Sequence, residues 1–268
     1  MNQQREMLSY FNLNALPFTK EIPVEQLQLL PSLQRHLQAA QLLVHTRGIG
    51  LITGRAGTGK SCLLRLLAQQ LPPGLYRSFY LCHSSVGIVE FYTHLASLLG
   101  LQPGFRRATM FREIKDHVLA LNEASHVHPV LLIDEAHLLN NAILAEIRLL
   151  TNFHIDSLSA LTVILCGSES LRRKFGLSIL EALASCITIT VSLDSLPPEE
   201  TASFVETRLT ACGANRPLFT KNAIKLVHQA SGGVMRSAGT IANAALLQAF
   251  LAHTQQVEAE HVQAVVQR

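Results

Sequence analysis

The sequence lacks the long apolar run that a membrane-spanning helix requires. Its apolar stretches, such as 130–133 and 161–166, have the length of strands, whereas a spanning helix takes about 18 apolar residues. The first six residues are polar and contain no apolar core of a secretory signal. We therefore expect a cytoplasmic protein with no membrane partner, although 48% of its residues are hydrophobic.

Cysteine and histidine groupings typical of metal sites are also absent. The five cysteines form no CxxC pair, and the twelve histidines form no HExxH motif, so neither a zinc site nor a redox couple is indicated. The odd number of cysteines fits a reducing compartment. A formal charge of +3 permits contact with nucleic acid without requiring it.

No internal repeat or low-complexity stretch interrupts the chain, so we expect all 268 residues to fold. Residues 1–46 are predicted as an irregular leader and one helix. Between residues 47 and 195, five short apolar strands alternate with helical patterns, which predicts a parallel sheet covered by helices on both faces. Residues 196–268 carry four helical patterns and no strand pattern, which predicts a small all-helical domain.

A phosphate-binding loop occupies residues 54–61, with the sequence Gly-Arg-Ala-Gly-Thr-Gly-Lys-Ser between a predicted strand and a predicted helix. Its glycines let backbone N–H groups face a phosphate, and the helix N-terminus favours an anion. Lys60 supplies charge to the β- and γ-phosphates, and Ser61 supplies a hydroxyl ligand to magnesium. The predicted cofactors are therefore ATP and Mg2+. The predicted cofactor contacts are Gly54, Ala56, Gly57, Thr58, Gly59, Lys60, Ser61, Cys62 and Asp134.

Two carboxylates follow the apolar run 130–133, where a parallel strand reaches the ligand-binding edge of the sheet. Asp134 is predicted to hold magnesium together with Ser61, and Glu135 to polarise the attacking water. The alternative is a strand that ends in solvent-facing acidic residues. The phosphate loop upstream favours the catalytic interpretation.

Two further polar residues have competing explanations. Ser168 follows the apolar strand 161–166 and is placed either to sense the γ-phosphate or to act as a plain N-cap of the next helix. Arg236 lies at the beginning of a helix after a glycine pair. It is either a nucleotide-sensing arginine or an ordinary surface residue.

Together these residues resemble an AAA+ ATPase of the ExeA/GspA-like branch. The resemblance rests on 10–11, 17–18, the phosphate loop, 134–139, 146–153 and 217–220. It implies a five-stranded P-loop domain with a helical lid, and self-association into a ring or filament with ATP between subunits. By position, Ser168 resembles the sensor-one residue and Arg236 resembles the sensor-two arginine.

The branch contains two kinds of protein. One assembles secretion machinery and usually adds a membrane span and a cell-wall-binding region, for which we expect no room in this chain. The other is a compact helper of a transposase, similar to IstB and TnsC, and segment 147–156 looks like this type. The resemblance thus favours an ATPase that binds duplex DNA and presents it to a transposase. An assembly module for secretion or polysaccharide export is the alternative.

Four basic residues are the candidate DNA contacts, since related rings and filaments line their channels with basic side chains. A solvated helix face is the competing explanation. The four residues are Arg106, Arg107, Arg112 and Lys115.

One position departs from the family pattern. In the resembling proteins, the helix before the last strand ends in an arginine that reaches the neighbouring subunit's γ-phosphate, but this chain has Cys186 there. Because a thiol cannot supply that charge, we expect slow hydrolysis. Arg172 and Arg173, or an arginine of a partner, are the possible substitutes.

Replacing Cys186 with Arg should therefore raise ATP turnover in the assembled form, because an arginine finger contributes about 10³ or more in rate. Replacing Arg172 and Arg173 with Ala should lower the slow ATP turnover of the protein that retains Cys186. The measurement is turnover against protein concentration, with and without duplex DNA. Brisk hydrolysis that does not depend on protein concentration would contradict this interpretation of Cys186.

Overall fold

A computed structural model describes residues 2–19, 21–24, 27, 29–82 and 86–267, with side chains from residue 4 onward. The chain divides into two compact units. One comprises residues 1–34, 57–59 and 194–268, and the other comprises residues 35–56 and 60–193. Among the described helices, none has the length and apolar character needed to cross a bilayer.

A five-stranded parallel sheet forms the centre of the larger unit, as the sequence predicted. Its strands lie in the order β2-β3-β4-β1-β5. The central strands β1, β3 and β4 are buried along their whole length, because helices cover both faces of a parallel sheet. The strands are β1 Ile49–Gly54, β2 Tyr76–Leu81, β3 His128–Ile133, β4 Thr162–Gly167 and β5 Ile187–Leu193.

The helices of this unit follow the predicted apolar spacing. In α5, the buried residues are Met110, Ile114, Val118 and Leu121, which recur at three- and four-residue intervals and so share one face. The helices are α2 Pro31–Thr46, α3 Lys60–Gln70, α4 Ile88–Leu98, α5 Arg107–Glu123, α6 Asn141–Thr151, α7 Glu169–Lys174 and α8 Glu181–Ala184. Residue 34 is the boundary between the units, so α2 contributes to both.

The stretch 169–184 does not form one continuous helix. Helix α7 ends at Lys174, and a 3-10 turn at Ser178–Leu180 precedes α8. Lys174 donates hydrogen bonds to the carbonyls of His137 and Leu139, both at 2.7 Å. These contacts are long-range, so the local helical pattern does not reveal them.

The smaller unit contains five helices among the described residues. They are α1 Asn2–Tyr10, α9 Pro198–Ala211, α10 Lys221–Ser231, α11 Met235–Leu251 and α12 Ala259–Val266. The last four confirm the predicted helical C-terminal region. Helix α1 corrects the expectation of an irregular leader, since Met7 on α1 and Phe11 directly after it are buried in the core of this unit.

The leader motif 17–18 is attached to these helices by polar contacts. The guanidinium of Arg208, a residue that is only 4% exposed, donates to the carbonyl of Pro17 at 2.8 Å. The Asn243 amide donates to the carbonyl of Phe18 at 3.3 Å. A Cβ on Gly239 would lie 3.1 Å from the Cβ of Phe18, so the close approach of the leader explains a glycine inside α11.

His128 makes stability depend on pH. It is 2% exposed, and its ring nitrogens pair with Asn122 at 3.1 Å and Thr162 at 2.8 Å. Burial, with a smaller effect of the Arg47 charge, lowers its pKa from 6.5 to about 4. Between these values the unfolded chain binds a proton that the folded chain does not, so stability falls as pH falls from 6.5 to about 4.

Replacing His128 with Gln should flatten this loss, which is at most about 1.4 kcal/mol per pH unit for one group. The measurement is urea unfolding at several pH values across the window. His154→Asn is the matched control because His154 is exposed and has a positive φ of 47°, which Asn tolerates. Equal pH slopes for both variants would contradict the role assigned to His128.

Candidate nucleotide site

The phosphate loop places a buried positive charge beside backbone carbonyls. Lys60 begins α3 and is 8% exposed, and its ammonium donates to the carbonyls of Gly54 at 2.9 Å and Arg55 at 3.0 Å. Over the described part of the chain it forms no ion pair. Because buried charges are normally neutralised by a partner, this geometry fits an anion such as a phosphate group.

Two loop glycines adopt backbone conformations that other residues avoid. Gly57 has a φ of 86° and Gly59 a φ of 102°, both in the left-handed region that glycine enters without steric cost. The sequence pattern predicts glycine at these positions because glycine lets backbone N–H groups turn toward a phosphate. The observed angles agree with that explanation of the residue type.

Asp134 follows β3 and is 3% exposed. Its Oδ2 accepts hydrogen bonds from the Ser61 hydroxyl at 2.8 Å and the Tyr80 hydroxyl at 3.0 Å, and its Oδ1 accepts from the backbone N–H of Glu135 at 2.9 Å. The structure therefore brings together the two residues predicted as magnesium ligands. A carboxylate and a hydroxyl in contact are oxygen donors of the kind that Mg2+ prefers, so these residues fit the ion.

Tyr80 and Cys166 belong to this cluster, although the sequence did not single them out. They lie on β2 and β4, the two strands that flank β3. Burial and the neighbouring Asp134 carboxylate raise the pKa of the Tyr80 hydroxyl, and the same two causes raise the pKa of the Cys166 thiol. Both groups thus stay protonated at neutral pH. The sequence signal for these two residues was a polar side chain near the end of an apolar strand. That signal identifies them as neighbours of Asp134 only when the order of the strands in the sheet is known.

Glu135 is placed differently from its neighbour. It has a left-handed backbone, with φ 51° and ψ 32°, and its side chain is 50% exposed. Its Oε2 lies 3.2 Å from Nδ1 of His137. A carboxylate exposed to this degree meets water, as its predicted role requires, and that role remains a prediction.

The contacts of the two predicted sensing residues, Ser168 and Arg236, do not establish a sensing role. Ser168 occupies the N-cap position of α7 without a side-chain capping bond, and its hydroxyl pairs with that of Ser170 at 2.7 Å. Ser168 is therefore the N-cap residue by position, but its hydroxyl does not cap the helix. Arg236 is the second residue of α11 in the smaller unit and is exposed. Both sensing roles remain predictions.

The predicted DNA contacts differ in their surroundings. Arg107 forms an ion pair with Glu146 at 3.3 Å. Lys115 donates to the carbonyl of Asn152 and lies 4.6 Å from the centre of the Phe153 ring, and burial lowers its pKa. Lys115 therefore helps to pack α5 within the unit, whereas Arg107 is exposed and its ion pair lies at the surface. Arg106 and Arg112 are also exposed.

Comparison with known proteins identifies the family of the chain. The family model described as an AAA domain matches residues 27–175, which is more than half of the chain. The chain belongs to the AAA domain family. It is an AAA+ ATPase with the P-loop fold, as predicted.

General secretion pathway protein A of Aeromonas hydrophila is 34% identical over 210 residues, which cover 76% of this chain and 37% of that protein. The chain thus spans little more than a third of this relative. The match supports the ExeA/GspA-like resemblance and adds nothing for the IstB and TnsC type.

Solved structures with the same fold include an ORC2 protein and a RuvB motor. The ORC2 protein of Aeropyrum pernix matches with a TM-score of 0.72 at 14% identity, covering 95% of this chain and 72% of that one. The RuvB branch migration motor of Thermotoga maritima matches with a TM-score of 0.59 at 18% identity, covering 96% and 72%. At these identities the matches show the fold alone.

Replacing Tyr80 with Phe should weaken magnesium binding, because Asp134 loses one hydrogen-bond donor while the ring is kept. One such bond is worth about 1 kcal/mol, or roughly fivefold in affinity. The measurement is the Mg2+ concentration that gives half-maximal ATP turnover. Tyr76→Phe is the matched control, since its hydroxyl pairs with His45 at 2.9 Å. Equal magnesium dependence in the two variants would contradict the role of Tyr80.

Proposed function

We propose that the chain binds ATP with magnesium, hydrolyses it slowly, and uses its nucleotide state to control docking to protein components of a secretion apparatus. The observation that carries the ATP part is the contact of Ser61 with buried Asp134 beside the buried ammonium of Lys60. This arrangement offers a cation for phosphate and oxygen ligands for magnesium.

In this proposal, different residues bind the phosphates, bind the metal and orient the attacking water. Lys60 and the loop N–H groups hold the phosphates, while Ser61 and Asp134 hold the metal. Mg2+, when bound, neutralises charge on the phosphates. Glu135 accepts a hydrogen bond from the attacking water and so orients it toward the γ-phosphate.

Slow turnover is part of the proposal because of Cys186. The thiol of this residue donates to the carbonyl of Ala182 at 3.2 Å and offers no positive charge. Arg172 and Arg173 are exposed on α7 and line an open pocket of about 340 Å³ with Thr53, Glu169 and Ser192. They are the substitutes within this chain, and a partner's arginine is the other source.

The secretion role rests on the relative from Aeromonas hydrophila, whose name describes that pathway. The sequence favoured a transposase helper that binds duplex DNA, but that interpretation has less support than the secretion role, which was its alternative. Of its four predicted contacts, Lys115 is engaged in packing α5, and the exposed Arg107 is paired with Glu146. Self-association belongs to both interpretations.

A trapped ATP state distinguishes these roles. Glu135→Gln should keep ATP affinity and stop turnover, because the amide cannot polarise water, whereas Lys60→Ala should lose ATP binding. With ATP, the Glu135→Gln protein should self-associate in sedimentation velocity. Its affinity for a duplex DNA fragment, measured by fluorescence anisotropy, should not change between ATP and ADP.

The matching cellular measurement uses a strain that lacks this chain. Secreted proteins should accumulate inside the cells, and the wild-type chain but not Lys60→Ala should restore export. Normal export together with ATP-dependent, steeply salt-sensitive DNA binding would favour the transposase helper instead. If Glu135→Gln lost ATP affinity as severely as Lys60→Ala, the assignment of Glu135 would be wrong.

A further inference from the structure

His137 stands between the ends of two central strands. It belongs to the 3-10 turn Ala136–Leu138 that follows β3, and its side chain is 22% exposed. Its Nδ1 lies 3.2 Å from Oε2 of Glu135 and 3.5 Å from the backbone nitrogen of Ser168, just after β4. One ring nitrogen therefore faces both the predicted water-activating carboxylate and the predicted sensor position.

The position of this ring is fixed by its surroundings. Lys174 binds the carbonyls of His137 and Leu139, so the turn is tied to α7. A Cβ on Gly167 would lie 3.1 Å from the backbone nitrogen of His137 and 3.3 Å from its Nδ1. The glycine at the end of β4 therefore permits the close approach of the imidazole.

The two partners of Nδ1 make opposite demands on it. Glu135 requires a proton on Nδ1, because a carboxylate only accepts hydrogen bonds, whereas the Ser168 N–H requires a bare nitrogen that accepts. Nδ1 cannot satisfy both at once. The pair of contacts thus defines two exclusive arrangements, one that restrains the Glu135 carboxylate and one that releases it.

We propose that His137 is a positioning residue for Glu135, and that its Nδ1 exchanges between Glu135 and the Ser168 backbone N–H according to the bound nucleotide. The inference rests on the proposed ATPase function. The left-handed backbone of Glu135 supports it, since strained conformations persist where the surrounding structure holds them and often accompany function. Ser168 then acts through its backbone, independently of its hydroxyl.

Turnover and binding measurements test the positioning role. His137→Phe keeps a ring without nitrogen and should lower kcat about ten- to hundredfold, because misplaced catalytic groups cost that much, with ATP affinity unchanged within about twofold. His137→Asn places a polar atom near the position of Nδ1 and should restore much of the rate.

A spectroscopic measurement tests the exchange directly. In protein labelled with ¹⁵N-histidine, the Nδ1 resonance of His137 should shift between a protonated and an unprotonated position when ADP is replaced by a non-hydrolysable ATP analogue. A resonance that is identical in both states would overturn the exchange.

The outcomes separate this inference from the proposed function. Loss of turnover in Glu135→Gln with normal kcat in His137→Phe would overturn the positioning role and leave the ATPase assignment intact. Normal turnover in Glu135→Gln would overturn the assignment of Glu135 itself. If His137→Phe and His137→Asn lost ATP affinity to the same degree, His137 would have a purely structural role.

Discussion

Asp134 carries an almost fully buried carboxylate, and such burial is tolerated only when hydrogen bonds replace the lost water. The donors come from three places: Ser61 at the start of α3, Tyr80 on β2 and the backbone of Glu135. These hydrogen bonds link the start of α3 and strand β2 to the end of β3. The nucleotide site is built around this requirement.

The carboxylate of Glu135, the residue after Asp134, is held by fewer contacts than that of Asp134. Asp134 accepts hydrogen bonds on both oxygens, whereas Glu135 is half exposed and contacts His137 through one oxygen. In the role proposed for Glu135, this exposure would let the carboxylate meet water, and the imidazole contact would aim it.

Several residues that carry the family resemblance have structural roles. Glu146 accepts a hydrogen bond from the buried Tyr92 hydroxyl at 2.6 Å and forms an ion pair with Arg107. It therefore connects α6 to α4 and α5. Phe153 is 2% exposed, and segment 17–18 is fastened by Arg208. Such residues specify the fold of a branch without specifying its partner, which is why the resemblance predicts the fold better than the biological role.

The sequence by itself determined the phosphate loop, the five strands and the pairing of Ser61 with Asp134, because each follows from a local pattern or a known motif geometry. Only the tertiary structure decided that Tyr80, Cys166 and His137 surround the two carboxylates. It also decided that Lys115 packs against Phe153 and that Lys174 ends α7. These contacts depend on strand order and on turns between distant segments, and neither the order β2-β3-β4-β1-β5 nor those long-range hydrogen bonds leave a periodic signal in the chain.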